Sequence, residues 1–212
     1  MTATVLIVDD DVGIREALSD LIASHGMQAV TFGSAGEYMR AAKPEGPACL
    51  ILDVELPDIN GLELQKQIAE GDHPPIVFIT GHGDIPSSVR AIKRGAIDFL
   101  TKPFSEDDLM AIIRTALTED EKTRSERAER GAIEKRYLSL TPRERDVLPL
   151  VVSGLMNKQA AAELGISEVT LQIHRRNVMQ KMAASSLADL VRIAGRLGIT
   201  GSHSRRSGEP NE

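Results

Sequence analysis

Cys49-Leu50-Ile51-Leu52-Asp53-Val54-Glu55-Leu56-Pro57 is the stretch on which the fold of this chain turns. Four apolar residues run into a carboxylate, a proline turn follows, and Gly61 comes soon after. A short apolar run bounded by turn residues reads as a strand buried on both faces of a parallel sheet. In an open α/β sheet, ligands and chemistry gather just past the carboxyl ends of the strands. Asp53 stands at such an end, either as a turn-capping aspartate or as a reacting group.

The flanking sequence repeats the pattern. Apolar strands are predicted at 4–8, 28–32, 49–53, 75–80 and 96–101. Helices are predicted at 12–25, from a Ser34 cap to Ala42, at 61–69, at 84–94, and onward from a Ser105 cap. Gly26 and Gly95 follow two of them as helix-ending residues. Strands alternating with helices imply a parallel, doubly wound sheet. Acids then collect at its strand ends: Asp9, Asp10 and Asp11 after the first strand and Asp53 after the third. Thr80 ends the fourth strand, and Lys102 lies just past the fifth. Carboxylates massed on one edge repel one another unless a cation joins them, and hard oxygen ligands with open water positions suit Mg²⁺.

Residues 1–118 hold 18 acids against 9 bases, and residues 137–212 hold 7 against 10. An acidic part followed by a basic part predicts two domains with different partners. Between them, residues 119–136 read EDEKTRSERAERGAIEKR, with 12 charges of evenly mixed sign. The many opposite pairs at i,i+3 and i,i+4 favour a helix running on from Ser105 to about Tyr137, with a flexible tether as the other reading. With 42% hydrophobic residues the chain is not wholly disordered. It lacks tryptophan, so its core is expected to be aliphatic. No apolar run approaches the ~20 residues of a membrane span, and the start lacks a basic signal segment, so a cytoplasmic protein is expected. The single cysteine, Cys49, rules out an internal disulfide and is expected to be a small buried hydrophobe.

In the basic part, Thr141 precedes Pro142 and lies three residues before Glu144, which predicts a capping box at a helix start. Val147, Leu148, Val151 and Val152 form that helix's apolar face, and Pro149 should bend it. Asn157 is expected to cap a second helix, Ser167 a third through Met182, and Ser186 a fourth over 187–197. Small alanines, a Gly165 turn and a longer basic helix are what helix-turn-helix packing requires.

The motifs VDD at 8–10, LDVELPDINGLEL at 52–64, ITGHGD at 79–84 and DFLTKPF at 98–104 make residues 4–118 resemble a response-regulator receiver domain. The resemblance implies a flavodoxin-like five-stranded fold whose Asp53 accepts a phosphoryl group from a sensor histidine kinase. It implies Mg²⁺ held by Asp10, Asp53 and the Glu55 backbone carbonyl, with Asp9 acting mostly through water. Lys102 would pair with the phosphoryl oxygens, Thr80 would be the switch hydroxyl and Phe99 the switch aromatic. Lys102-Pro103 would be a cis peptide. Glu55 and His82 would flank the site and tune how long the phosphate lasts.

LTPRE at 140–144 and NKQAAAELGISEVTLQIHRRNVMQKM at 157–182 make residues 137–200 resemble an all-α, four-helix LuxR-type helix-turn-helix domain. Its third helix would enter the major groove of double-stranded DNA. Gln172, Ile173 and Arg176 would face the bases, Lys158, Arg175 and Lys181 the phosphates, and Thr170 would also contact the DNA. The common pattern has a Lys where Gln172 stands. Val169, part of Ile173, Val178 and Met182 are expected to pack inward, and His174 to pack or to contact phosphate. Residues 201–212 read as a disordered tail.

Together these features predict a FixJ/NarL-type transcription regulator, not an enzyme, that acts chemically only on its own phosphorylation. Phosphorylation would drive a homodimer through the fourth helix and fifth strand, with Val89 and Lys93 on that face, onto an inverted-repeat operator. RNA polymerase is a candidate further partner. Activation by release of a receiver that masks the DNA-binding helix is the other route. Two rivals remain: a Mg²⁺-dependent aspartyl-phosphate phosphohydrolase with Glu55 as acid/base, and a binding module that is never phosphorylated.

Overall fold

The structure is a computed structural model and describes residues 2–81 and 85–200. His82, Asp84 and the 201–212 tail lie outside the described residues. The chain divides into two compact units, residues 1–125 and 126–212.

In the first unit, β1 (Thr4–Val8), β2 (Gln28–Phe32), β3 (Ala48–Asp53), β4 (Ile76–Thr80) and β5 (Asp98–Thr101) form one sheet in the order β2-β1-β3-β4-β5. Every neighbouring pair is parallel. The helices α1 (Val12–Ser24), α2 (Ala35–Arg40), α3 (Gly61–Ile68) and α4 (Ile85–Lys93) separate the strands, and α5 (Glu106–Leu138) follows. This is the expected doubly wound architecture.

The apolar runs explain the layers. β1, β3 and β4 are buried along their whole length. Alternate residues of these strands feed two cores. One is built on Val5, Ile7, Ile51, Val77 and Ile79, with Leu18 and Ile22 of α1 and Leu109 and Ile113 of α5. The other is built on Leu6, Val8, Leu50, Leu52 and Phe78, with Leu64 of α3. Cys49 lies fully buried in the first.

Element ends differ slightly from the sequence reading. Ala96 N–H donates to Ala91 O and Gly95 adopts φ 89°. Ala96 therefore closes α4 as a Schellman-type turn, and β5 begins only at Asp98. α2 stops at Arg40 because Ala41 is already extended, with ψ 150°.

α5 runs unbroken for 33 residues, so the helical reading of the charged linker is the one realised. Ser105 Oγ accepts from Asp108 N, and three acids occupy the first turn, where they meet the positive end of the helix dipole. Asp120 fastens this helix to the sheet. Its carboxylate, 4% exposed with its residue, accepts from Ala48 N at 2.8 Å and from Arg124 Nε at 2.6 Å. Arg124 in turn donates to the Pro44 and Glu45 carbonyls.

The second unit holds α6 (Pro142–Val152), α7 (Asn157–Leu164), α8 (Glu168–Lys181) and α9 (Leu187–Arg196). Thr141 and Glu144 form the expected capping box, and α6 continues through Pro149. Val147, Leu148, Val151, Leu171, Val178, Met182 and Leu190 fill its core, joined by Ile133 from the end of α5. The guanidinium of Arg145 lies over the Tyr137 ring, 5.4 Å from its centroid. Asn157 does not cap α7: it is the first helical residue, and its side-chain oxygen accepts from Arg175 Nη1 at 2.8 Å. Met156 takes the cap position, where its N–H is met by Gln159 Oε1.

Candidate functional sites

The parallel sheet brings the carboxyl ends of β1 and β3 side by side, Val8 opposite Leu52. Asp9 and Asp53 therefore enter the same pocket. One carboxylate oxygen from each of Asp9, Asp10 and Asp53 lies within 4.8 Å of the others. Asp9 and Asp53 are buried, and Asp10 is exposed. Lys102 reaches in from beyond β5, its Nζ 2.7 Å from Asp9 Oδ2 and 3.6 Å from Asp53 Oδ1. The other oxygen of Asp9 accepts from Asp11 N at 2.9 Å.

Asp9 is thus well satisfied, and Asp53 is not. Asp53 Oδ1 is enclosed and has no hydrogen-bond partner. Burial, helped by the charge of Asp9 and only partly opposed by Lys102, pushes the Asp53 carboxyl up to about 6. A buried, half-orphaned carboxylate beside two others fits a hard divalent cation, which would supply the missing partner.

The neighbouring residues are also in place. Thr80 is fully buried at the end of β4, and its carbonyl accepts from Lys102 N at 2.8 Å. The backbone that sets the threonine thus also sets the lysine. Lys102-Pro103 is cis, as expected. Phe99 pairs in register with Phe78, with ring centroids 6.1 Å apart, and is half-buried. Glu55 is exposed in the loop after β3. Val89 and Lys93 are exposed on α4, beside a surface cavity that Ile92, Asp98 and Phe99 also line.

Two residues of this site were missed in the sequence. Asp58 accepts from Ala35 N and Gly36 N at 3.2 and 2.8 Å, tying the loop after Asp53 to the start of α2. Gly61 lets α3 approach the end of β3: a Cβ there would collide with the Asp53 carbonyl oxygen. The Pro57-Asp58 turn hinted at the first, and no local signal marked the second as a close approach.

In the second unit, α7, a left-handed Gly165 (φ 64°) and α8 make a helix-turn-helix. Gln172, Ile173 and Arg176 are exposed on α8, and Lys158 is exposed on α7. Thr170 is half-buried, its hydroxyl 2.7 Å from that of the Ser167 cap. Two residues expected at the phosphates also have partners within this unit. Arg175 is held by Asn157, and Lys181 Nζ lies 2.7 Å from Glu144 Oε2. Val169 does not pack inward. It is 68% exposed and Ile173 is 56% exposed, because Leu171, Val178 and Met182 define the buried face. His174 is half-buried and its Nδ1 is enclosed without a hydrogen bond, which accords with packing.

Residues 5–114 match the response regulator receiver domain family, and residues 138–194 match the luxR family of bacterial regulatory proteins. The chain is a response regulator of the FixJ/NarL type. This response regulator is 46% identical over 206 residues to nodulation protein W of Bradyrhizobium diazoefficiens, covering 97% of this chain and 91% of that one. It is 41% identical over 194 residues to the transcriptional regulatory protein FixJ of Azorhizobium caulinodans, covering 91% and 92%. The solved structure of the response regulator StyR superposes with a TM-score of 0.84 at 47% identity, over 92% of this chain and all 100% of that one. A receiver joined to a LuxR-type DNA-binding domain makes it a transcriptional response regulator, and the phosphohydrolase reading is not favoured. Among the described residues, no helix is long and apolar enough to cross a membrane.

Proposed function

We propose that Asp53 is the phosphoryl acceptor of a sensor histidine kinase, and that its modification drives this chain onto operator DNA as a homodimer. The observation that carries the reading is the buried Oδ1 of Asp53, which accepts no hydrogen bond and faces the Lys102 ammonium at 3.6 Å. An acceptor needs an oxygen that is held in place yet not already engaged. As that oxygen bonds to phosphorus, the P–N bond of the donor phosphohistidine breaks and its electron pair stays on the imidazole. Lys102, held by Asp9, offsets charge on the transferred oxygens.

Asp9, Asp10, Asp53 and the Glu55 carbonyl would hold Mg²⁺, which when bound draws off the charge developing on the phosphoryl oxygens. Thr80 then turns its hydroxyl to the new acceptor oxygens and Phe99 moves into the space behind it. The α4–β5 face carrying Val89 and Lys93 is repacked, and two receivers pair there. Pairing sets two α8 helices under one twofold axis, which matches an inverted repeat. The bases would be read from Gln172, Ile173 and Arg176, with Lys158, Arg175 and Lys181 on the phosphates and Thr170 also against the DNA. A dimer so placed, in the cytoplasm, can meet RNA polymerase. Chemistry is confined to Asp53 itself, with no turnover of small phosphate esters.

The test is intact mass and solution mass of the full chain after acetyl phosphate and Mg²⁺. The wild type should gain one phosphoryl group and become a dimer. Asp53→Asn should do neither. A wild type that stays unmodified, or a variant that still gains the group, overturns the assignment.

A further inference from the structure

The outward face of α8 is a single stripe: Val169, Gln172, Ile173, Arg176 and Gln180, all exposed, at helical spacings of three and four. Lone apolar residues on a surface need no explanation. Val169 and Ile173 are different, because they stand one turn apart and reinforce one another. Both are β-branched, so they lose χ1 freedom in a helix and gain nothing from water there. The core of this unit does not need them, since Leu171, Val178 and Met182 already close the inner face.

Val169 opens the stripe, near the start of α8. At 3.6 residues per turn, Arg176 lies seven residues on and within about 20° of it around the axis. The two stand about 10 Å apart along the axis and face the same way, so a ligand lying along the helix meets both. No residue of the stripe is acidic, and Arg175 and Lys158 add positive charge nearby. A second copy docked through this stripe would bring Arg176 towards its own symmetry mate. The charge selects a polyanion. The apolar pair asks for a polyanion with methyl groups on its surface. Double-stranded DNA offers such a group in the major groove, the 5-methyl of thymine.

Resting on the DNA-binding role of this unit, in which Ile173 already faces the bases, we propose that Val169 extends that face by one turn and reads a thymine methyl group beside the one that Ile173 meets. Two T·A pairs in each half-site are thus selected by apolar contact, alongside hydrogen bonds from Gln172 and Arg176. Val169 is a specificity-determining residue.

The probe is a duplex selected by the full-length, acetyl-phosphate-treated protein from a randomised library. Each thymine of the selected half-site is replaced singly by deoxyuridine, which removes only the 5-methyl. Affinity is measured for wild type, Val169→Ala and Ile173→Ala. Wild type should lose roughly 3- to 10-fold at two positions, about the effect of one buried methyl. Val169→Ala should be indifferent to deoxyuridine at one of them and Ile173→Ala at the other. Both variants should melt at the wild-type temperature, because both side chains are exposed. The proposal is overturned if wild type ignores every deoxyuridine, if Val169→Ala keeps the full methyl sensitivity, or if the variants lose only self-association. Failure of the library to enrich any sequence would instead remove the DNA-binding reading itself.

Discussion

Asp53 and Glu144 are both buried carboxylates with a lysine beside them, one in each unit, and they behave in opposite ways. Glu144 Oε2 accepts from Lys181 Nζ at 2.7 Å and from Thr141 N at 2.8 Å. Burial alone would raise its carboxyl, but these bonds outweigh it and hold the group down at about 2. Asp53 keeps its lysine at 3.6 Å, has one oxygen unpartnered, and is pushed up to about 6. Burial and a nearby cation are common to both. What separates them is that Glu144 has its lone pairs occupied by hydrogen bonds and Asp53 Oδ1 has not, which is the difference expected between a structural carboxylate and the proposed acceptor.

The sharpest way to break the comparison is exchange of each acid for its amide. Asp53→Asn should abolish phosphorylation by acetyl phosphate while the fold is retained. Glu144→Gln should leave the phosphorylation rate of the receiver unchanged. Radiolabel incorporation in both variants checks this, and labelling of Asp53→Asn would show that another residue is the acceptor.

The next largest effect is structural. Glu144→Ala removes two charge-assisted hydrogen bonds from a residue that is 3% exposed and leaves Thr141 N without its cap partner. The expected cost to the second unit is about 2–4 kcal/mol. Lys181→Met should cost less, since the capping box survives. Denaturant melts of the two variants should rank in that order. A Glu144→Ala variant as stable as wild type would make the pair ornamental.

Gly61→Ala tests the receiver's geometry in the same way. The added Cβ would meet backbone at the Asp53 carbonyl, which cannot swing aside as a side chain could. Either α3 or the end of β3 must move. The expected result is a loss of about 1–3 kcal/mol and slower phosphorylation. Unchanged rates would mean that the acceptor tolerates displacement.

The architecture was legible because buried strands and amphipathic helices write their period into local sequence. The acids at the strand ends were legible for the same reason, since strand order puts those ends together. Long-range polar contacts left no such trace. Asp120 meets Ala48 across 72 positions, and Lys181 meets Glu144 across 37, and nothing near either residue announces its partner. Val169 was misplaced by a phase error. Each residue turns a helix by about 100°, so starting the inner face at 169 instead of 171 reverses it. Leu171, Val178 and Met182, at spacings of seven and four, carried the correct phase.

The smallest predicted effect separates the two carboxylates by the sign of their pH dependence. Glu144 titrates lower in the folded chain than its ordinary value of 4.5, so the stability it gives is fully present above that value. It is lost as pH falls from about 4.5 through about 2, and it amounts to roughly 2 kcal/mol once solvent screening is allowed for. Asp53 titrates higher than its ordinary 3.8, so the metal-free receiver is penalised once pH rises through about 4 to 6. Asp53→Asn should therefore melt above wild type at pH 7.5 in chelator by about 1–2 kcal/mol, and the difference should vanish below pH 4. Added Mg²⁺ should stabilise wild type and not the variant, because the cation offsets the burial, and the lesser repulsion from Asp9, that raise Asp53. Its affinity should fall as pH drops below about 6, where it competes with a proton for that carboxylate. A variant no more stable than wild type at pH 7.5, with Mg²⁺ stabilising both equally, would show that Asp53 is as satisfied as Glu144 and that the contrast between them is not the basis of reactivity.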